Sequence, residues 1–521
     1  MTASTHSIQR ATILLALLVL LSKIIGFGRE MIIAYQFGTS AEYDTYLLAV
    51  SVPVALYVLI GYAVTNLVIP EYGLARSGAD TGSLLNLLWR NINFSLAVIA
   101  AVAAGLALGA SRWIPLIAPG LDPNRLPEAV FIARISSLVV VFGLLEAVFR
   151  SIVNAEKQFI IPAFGPICAN VVMIASIVSF SGRISTHAIL YGLVGGYLVQ
   201  MLVVFIPFVR TGVMAFFQGK IVHRGLQSFG AMALVILIIE GSWQVLSIID
   251  RYFASSMEAG IISALGYAYL LISLPTSIFA YALSTVIFPH FTDAVASGDV
   301  QRSSHLLTRG ITVSLLMATP IIVIIWVGAE GLVTVALRRG AFDQQSVTHT
   351  SELLKYFSLG LAGQFLLWTI SRAYYAARRF GVLLLQVAAV LIIKIVCAAA
   401  AVAWLGYTGL AVSSSISYLA GAAILVLCAD RTLARLDWKA LVLYVVKLCV
   451  ASAATGLAAH VLYRRLILPG QPWLEMSGWL ALVVVGAGLV FMAIAYMLHI
   501  SDIRDLMNAL VGRKDAHVRG N

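Results

Sequence analysis

Charged side chains are scarce in this chain. They make up 11% of its 521 residues, against about 25% in soluble domains, too few for an ordinary water-facing surface. Cysteine is rarer still: Cys168, Cys397, Cys428 and Cys449 each sit inside an apolar run, with no CxxC spacing and no histidine nearby. This argues against a disulfide framework or a thiolate metal centre and reads the four as core packing residues. There is no G-x-x-x-x-G-K-[ST], no H-E-x-x-H and no G-x-S-x-G, so a nucleotide-phosphate cradle, a zinc-protease helix and a hydrolase nucleophile elbow are all missing. Long polar loops are also wanting. The longest external segments, near 111–128 and 337–351, are too small to fold as a catalytic domain. The chain therefore reads as a non-enzyme without cofactors. Whatever it moves is driven by a coupling ion (H+ or Na+), by the membrane potential or by the substrate's own gradient.

What fills the chain instead is apolar residue, 61% of the total, in runs suited to a bilayer. Each crossing needs about 20 apolar residues, and fourteen such runs can be read: 11–36, 44–70, 82–110, 129–153, 159–181, 186–209, 226–252, 260–289, 307–336, 352–376, 380–404, 408–429, 438–463 and 474–499. The fold class expected is an all-α polytopic membrane protein. Arg10 precedes the first run as it would in a signal peptide, but no small-residue cleavage site follows, so that run is read as an uncleaved span.

A net charge of +11 raises the question of nucleic acid, and placement answers it. With alternating spans, Arg10, Arg76, Arg90, Arg150, Lys157, Arg210, Lys220, Arg224, Arg302, Arg309, Arg372, Arg378, Arg379, Arg431, Arg435, Lys439, Arg504, Arg513, Lys514 and Arg519 share one side. The other side holds Arg112, Arg125, Arg183, Arg338, Arg339, Arg464 and Arg465, with Arg134 and Lys355 just inside helix ends. This is the positive-inside pattern. It puts both termini in the cytoplasm and leaves no need for a nucleic-acid partner.

Two stretches about 222 residues apart repeat one another. Placing Arg29 on Arg251 puts Gly38 on Gly260, Ser51 on Ser273, Pro53 on Pro275 and Arg150 on Arg372. So long a period reads as two six-helix bundles, as in secondary transporters: lobes at 1–220 and 221–436, then a helix pair and tail at 437–521. The recurrence of Pro53 as Pro275 predicts a shared helix kink.

Charge within the spans carries the chemistry, because an ionisable group at mid-bilayer costs about 2.5–3.5 kcal/mol on insertion scales and faces a cavity or a partner. In the first span, Lys23 and Glu30 lie seven residues apart and within about 20° on one helical face, with Gly26 on that stripe and Arg29 about 100° away. Gly26 and Gly28 each weaken the helix by about 1 kcal/mol, marking a hinge. The seventh span carries Glu240, a candidate for ion coupling or a neutral hydrogen-bonded acid, followed by Asp250 and Arg251. Glu146 and Arg150 read as an i,i+4 ion pair. Lys394 and Lys447 read as snorkelling cations. Tyr43, Tyr46, Tyr57, Tyr62, Trp89 and Trp113 read as interfacial anchors.

The runs SKIIGFGREMIIAYQFGTSAEYDTYLLAVSVP, NLVIPEY, NAEKQFIIPAFGPICANVVMI and YALSTVIFPHFTDAVASGD resemble lipid II flippases of the MurJ/MviN type, within the multidrug/oligosaccharidyl-lipid/polysaccharide exporter superfamily. The resemblance implies two lobes plus a final pair and alternating access. It also implies a cationic cavity for the diphosphate of an undecaprenyl-linked saccharide, and a groove at the last two helices for its lipid tail. Membrane lipids, the lipid-linked oligosaccharide and cell-envelope synthesis machinery are the implied partners, in the bacterial cytoplasmic membrane. Carried over by position, Arg29 and Asp44 coincide with family residues, Glu30 stands for an Asp and Lys23 for an Arg. Tyr57 stands where the family has an arginine, Tyr269 and Leu270 replace an Asp-Arg pair, and Ser273 replaces an acid. The implied substrate contacts are Lys23, Arg29, Glu30, Asp44, Tyr57 and Arg251. Loss of two cationic positions points to a substrate other than ordinary lipid II, such as a surface-polysaccharide repeat unit. A cation-coupled drug exporter of the same superfamily would need an acidic, aromatic cavity, which the basic pair on the first span argues against.

Overall fold

The computed structural model describes residues 2–77, 81–211, 226–280, 290–294, 297, 299–468 and 471–500. Numbered over those residues, the helices are α1 (Thr2–Phe37), α2 (Ala41–Ser77), α3 (Thr81–Ile117), α4 (Leu126–Ser136), α5 (Leu138–Ala155), α6 (Ile160–Ile184), α7 (His187–Arg210), α8 (Leu226–Ala254) and α9 (Ile261–Pro275). They continue with α10 (Val300–Leu337), α11 (Gln344–Leu359), α12 (Leu361–Ala376), α13 (Phe380–Leu405), α14 (Thr408–Thr432), α15 (Trp438–Leu466) and α16 (Trp473–Met497). Lys220, Arg224, Pro289, Arg504, Arg513, Lys514, Arg519 and much of the YALSTVIFPHFTDAVASGD run lie outside the described residues, as do the side chains of Arg10, Pro70, Arg76, Trp89 and Arg90.

Helix is what a lipid environment demands, since only a structure that satisfies every backbone donor and acceptor internally survives there. Eleven helical segments among the described residues are long and apolar enough to cross a membrane, and the pair α11 and α12, bent by 47°, makes a twelfth. With α1 and α8, each expected span falls on a helix or a helix pair over its described residues, the span at 260–289 being described as far as residue 280. The break between α11 and α12 falls at Gly360, where a side chain would press on Ser415 Cα and Oγ, 2.9 Å from the position of a Cβ.

By contacts the chain forms two units, residues 1–263 with 339–343, and residues 264–338 with 344–521. In the first unit α2 packs on α3, α4, α5 and α8, α7 packs on α5 and α6, and α1 packs on α6. In the second, α13 and α14 form a tight pair, α12 joins α10 and α14, and α15 and α16 pack on each other and on α10.

The repeat is visible in the backbone. Gly38 (φ 54°) and Gly260 (φ 96°), 222 residues apart, both take the left-handed conformation. So do Lys157 (φ 60°) and Arg378 (φ 55°), and Ser185 (φ 48°) and Gly406 (φ 60°), each pair 221 apart (378 − 157 and 406 − 185). Ser51 and Ser273, again 222 apart, each donate a hydroxyl hydrogen bond to the carbonyl three residues back, at 2.6 and 2.7 Å. The prolines that follow behave differently. After Pro275 the chain passes into a π-turn at residues 276–280, whereas α2 stays α-helical through Pro53. A proline ring removes one donor and crowds the preceding turn, and among the described residues the change to π geometry follows Pro275 and not Pro53.

The cysteines are half-buried, or exposed in the case of Cys449, which places them on helix surfaces rather than in the core.

Candidate functional site

The polar centre of the first unit is built where α1 meets α6. Arg29 reaches sideways to its own neighbour: Nε and Nη2 both donate to Glu30 Oε1, the first at 3.1 Å, while Nη1 donates to Asn170 Oδ1 on α6 at 2.9 Å. Met173 Sδ lies 3.6 Å from the same Nη1. The guanidinium is thus gripped by a carboxylate and an amide, the charge-assisted arrangement that fixes a planar fork. The side chains remain 26% and 19% exposed for Arg29 and Glu30, so the pair is accessible. Glu30 is therefore held by Arg29 rather than by Lys23, although Lys23 shares its helical face. Lys23 is exposed on α1 with no hydrogen bond or ion pair among the described residues.

α1 runs unbroken through Gly26 and Gly28. Gly26 faces Asn170, with 3.6 Å between its missing Cβ and Nδ2, and Gly28 faces open space. Tyr43 and Tyr46 form the next layer, stacked at 5.9 Å between ring centroids and each only 4% exposed. Both lie within electrostatic reach of Arg29, and Tyr43 also of Arg251. The reading of these two tyrosines as interfacial anchors is corrected: they are buried one helical turn apart on α2, against the charge cluster. Tyr62, 39% exposed, keeps a surface position, and the indole of Trp113 donates to the Leu106 carbonyl at 2.9 Å.

Asp44 is almost fully buried. It is 7% exposed, and its Oδ2 and Oδ1 accept the backbone N–H groups of Gly260 at 2.6 Å and Ser263 at 2.8 Å. These are orphan donors at the start of α9, so Asp44 caps that helix from α2, with its negative charge at the favourable end. Gly260 is held by geometry as well as by hydrogen bond, because a Cβ there would run into the Thr39 carbonyl. Gly38 is similarly pressed on the Ala341 carbonyl, and Ala341 N donates to the Tyr35 carbonyl at 2.8 Å. Segment 339–343 thus seals the end of α1.

Farther along α2, Tyr57 lies against Gly143, whose absent side chain makes room for the ring, and meets Tyr197 edge-on at 4.9 Å. The ring is partly buried. The Glu146–Arg150 pair expected on α5 is present, at 3.0 Å, with Glu146 fully buried. Arg372, the repeat equivalent of Arg150, lies 5.9 Å over the ring of Trp368; each arginine takes its partner from four residues back, a carboxylate in one copy and an aromatic face in the other. Glu240 is half-buried on α8, two residues before the buried Ser242.

Lys394 does not snorkel. It is fully buried, and its Nζ donates to the Leu410 carbonyl at 3.0 Å, Ser413 Oγ at 2.9 Å and Ser414 Oγ at 2.6 Å. Asn170 and the Ser413/Ser414 pair were missed in the sequence because an amide and two hydroxyls carry no charge to attract notice.

Comparison with known proteins gives a consistent picture. The family model described as "Lipid II flippase MurJ" matches residues 33–483. The "Lipid II flippase MurJ" of Burkholderia cenocepacia is 28% identical over 380 residues, covering 70% of this chain and 73% of that protein. The "Probable lipid II flippase MurJ" of Borreliella burgdorferi is 24% identical over 424 residues, 78% and 81% of the two chains. Among solved structures, "Lipid II flippase MurJ, inward closed conformation" superposes with a TM-score of 0.77 at 21% identity, covering 95% of this chain and all of that one. A multidrug resistance MATE family transporter of the MOP superfamily, in an inward-facing conformation, gives 0.66 at 11% identity over 80% and 97%.

Proposed function

The chain belongs to the family of the lipid II flippase MurJ, and from that membership we propose that it carries an undecaprenyl-diphosphate-linked saccharide, lipid II in the first instance, across the bacterial inner membrane by alternating access. The observation that carries this reading is the cationic cluster on α1. Arg29 is set by Glu30 and Asn170 yet stays partly exposed, and Lys23, two turns away, is exposed with no ion pair among the described residues. Cations in an apolar chain call for an anionic partner, and a diphosphate supplies several acceptors to a preset guanidinium. Glu30 holds Arg29 until the substrate arrives. Arg251 adds a third cation beside Tyr43. Gly26 and Gly28 are proposed as the bend of α1, and Glu240 as the coupling acid for H+ or Na+, with the membrane potential as the other source of drive. The two lobes 1–220 and 221–436, the pair and tail at 437–521, and cytoplasmic termini belong to the same proposal, on the strength of the repeat and the positive-inside pattern. Cell-envelope synthesis machinery is the proposed partner.

A second reading, a different lipid-linked glycan such as a surface-polysaccharide repeat unit, is favoured by one specific feature: Tyr57 and Leu270 stand where arginines are expected. Complementation decides between them. Rescue of a strain depleted of its lipid II flippase is the expected result. Failure of the well-expressed protein to rescue, together with restored surface polysaccharide in a strain lacking its repeat-unit flippase, would transfer the assignment to the second reading.

A further inference from the structure

A second basic site lies in the second unit, remote in sequence from Arg29. A cavity of about 380 Å³ opens between residues 305–312 of α10, residues 440–447 of α15 and His499, two residues past α16. That volume is in the range of small-ligand pockets, about 300–1,000 Å³. His305 and Arg309, one turn apart on α10, face Lys447 of α15 and His499 across it. Among the described residues, no Asp or Glu lines it. The walls are fixed: Tyr444 Oη donates to the Thr312 carbonyl at 3.1 Å, tying α15 to α10, and His499, in the left-handed conformation at φ 57°, donates from Nδ1 to the Met497 carbonyl at 2.7 Å. Leu441 and Leu443 complete an apolar side, and Tyr444 continues into a buried cluster with Leu316, Leu448 and Phe491.

The cavity thus combines cations on facing helices, Arg309 of α10 and Lys447 of α15, with the apolar side chains of Leu441 and Leu443. It lies at the end of α10, α15 and α16 that the proposed orientation assigns to the cytoplasmic leaflet. We propose that this cavity binds the phosphate-bearing head group of a lipid in that leaflet, Arg309 and Lys447 contacting the phosphate and the leucines taking the first carbons of the chains. The positively charged pocket between spanning helices on the cytoplasmic side is the form such recognition takes. Two lipids share this chemistry, a bulk anionic phospholipid and a polyprenyl diphosphate. The site stands whether or not the Arg29 cluster binds substrate.

Native mass spectrometry of the purified, delipidated full chain tests it, with phosphatidylglycerol, undecaprenyl diphosphate, diacylglycerol and inorganic phosphate titrated separately. At least one phosphate lipid is expected to bind, with affinity lowered about tenfold or more in R309Q/K447Q and largely kept in the charge-retaining R309K/K447R. The lipid that shows this loss identifies the source. Because the charge-retaining variant alters the same positions, its binding separates loss of charge from loss of fold, and the single variant R309Q, at an exposed position, gives an independent reading. The proposal fails if R309Q/K447Q binds these lipids as wild type does, if diacylglycerol binds as well as they do, or if free phosphate binds and neither lipid does. Arg29→Ala is expected to leave phosphatidylglycerol binding intact; a loss there with R309Q/K447Q unaffected would assign the lipid to the α1 cluster and overturn the site.

Discussion

Arg29 and Lys394 are both cations inside the membrane-spanning part of the chain, and their surroundings separate a working charge from a structural one. Arg29 keeps a quarter of its side chain exposed and is held at one edge by Glu30 and Asn170. Arg29→Ala is therefore expected to abolish flipping while membrane expression stays normal, and Lys23→Arg, at an exposed position with no ion pair among the described residues, to retain activity. A reconstituted flipping assay with expression measured alongside checks both, and full activity of Arg29→Ala would remove the diphosphate contact. Lys394 has no exposure at all and is held by hydroxyls and a carbonyl. Replacing Ser413 and Ser414 together by alanine removes two acceptors from a buried ammonium, at about 1–3 kcal/mol each. The expected result is a clear fall in the unfolding temperature of the detergent-solubilised protein. Charge made Arg29, Glu30 and Lys23 legible in the sequence. Which of them pair was not, because an angular separation of about 100° along a helix does not bind a side chain as long and flexible as arginine.

At the scale of elements, α2 packs on α5 by setting an aromatic ring where a side chain is missing. Its Tyr57 ring occupies the space left by Gly143 on α5, where an added Cβ would lie 2.5 Å from Cε2. Gly143→Ala is expected to push the ring off α5 and away from Tyr197, destabilising the protein by about 1–3 kcal/mol, the usual cost of overpacking. Gly143→Ala combined with Tyr57→Ala should recover part of that loss, and thermal unfolding of the two variants tests the coupling. α1 offers a cleaner separation of stability from motion. Gly28 faces open space, so Gly28→Ala introduces no clash and stiffens the helix by about 1 kcal/mol. A lower transport rate with unchanged or raised thermal stability is expected if α1 bends during transport; an unchanged rate would dismiss Gly28 as the hinge. The spans themselves were legible from hydropathy because a bilayer leaves a chain little choice but helix. The interruption between α11 and α12 was not, since it depends on how closely Gly360 approaches Ser415, a contact between residues far apart in sequence.

The repeat shapes the whole chain, and the structure shows what it conserves. Three pairs of left-handed residues recur at 221 or 222 residues, two of them with a non-glycine partner, so the backbone path persists where side chains have diverged. That is why a period was legible from a few arginines, glycines and prolines, while the register change after Pro275 and the cap on α9 were not. Asp44 is where this architecture meets transport. Its two oxygens hold Gly260 and Ser263, and nearby Gly120 N donates to Ser255 Oγ at 3.2 Å, so hydrogen bonds help to close one end of the first unit. Hydrogen bonds to a carboxylate are strong enough to hold this end shut yet few enough to be exchanged, each contributing about 1.5–3 kcal/mol. If transport alternates by opening this end, Asp44→Asn, which keeps one carbonyl oxygen and loses the charge, should shift the population toward the open form. Cysteines at Leu121 and Ser256, joined by a short bifunctional reagent, report the closed form without straining Gly260. Efficient crosslinking that arrests flipping is expected with Asp44 intact, and slower crosslinking in Asp44→Asn. Crosslinking that leaves flipping at its full rate would mean that this end stays closed throughout the cycle and that substrate leaves by another route.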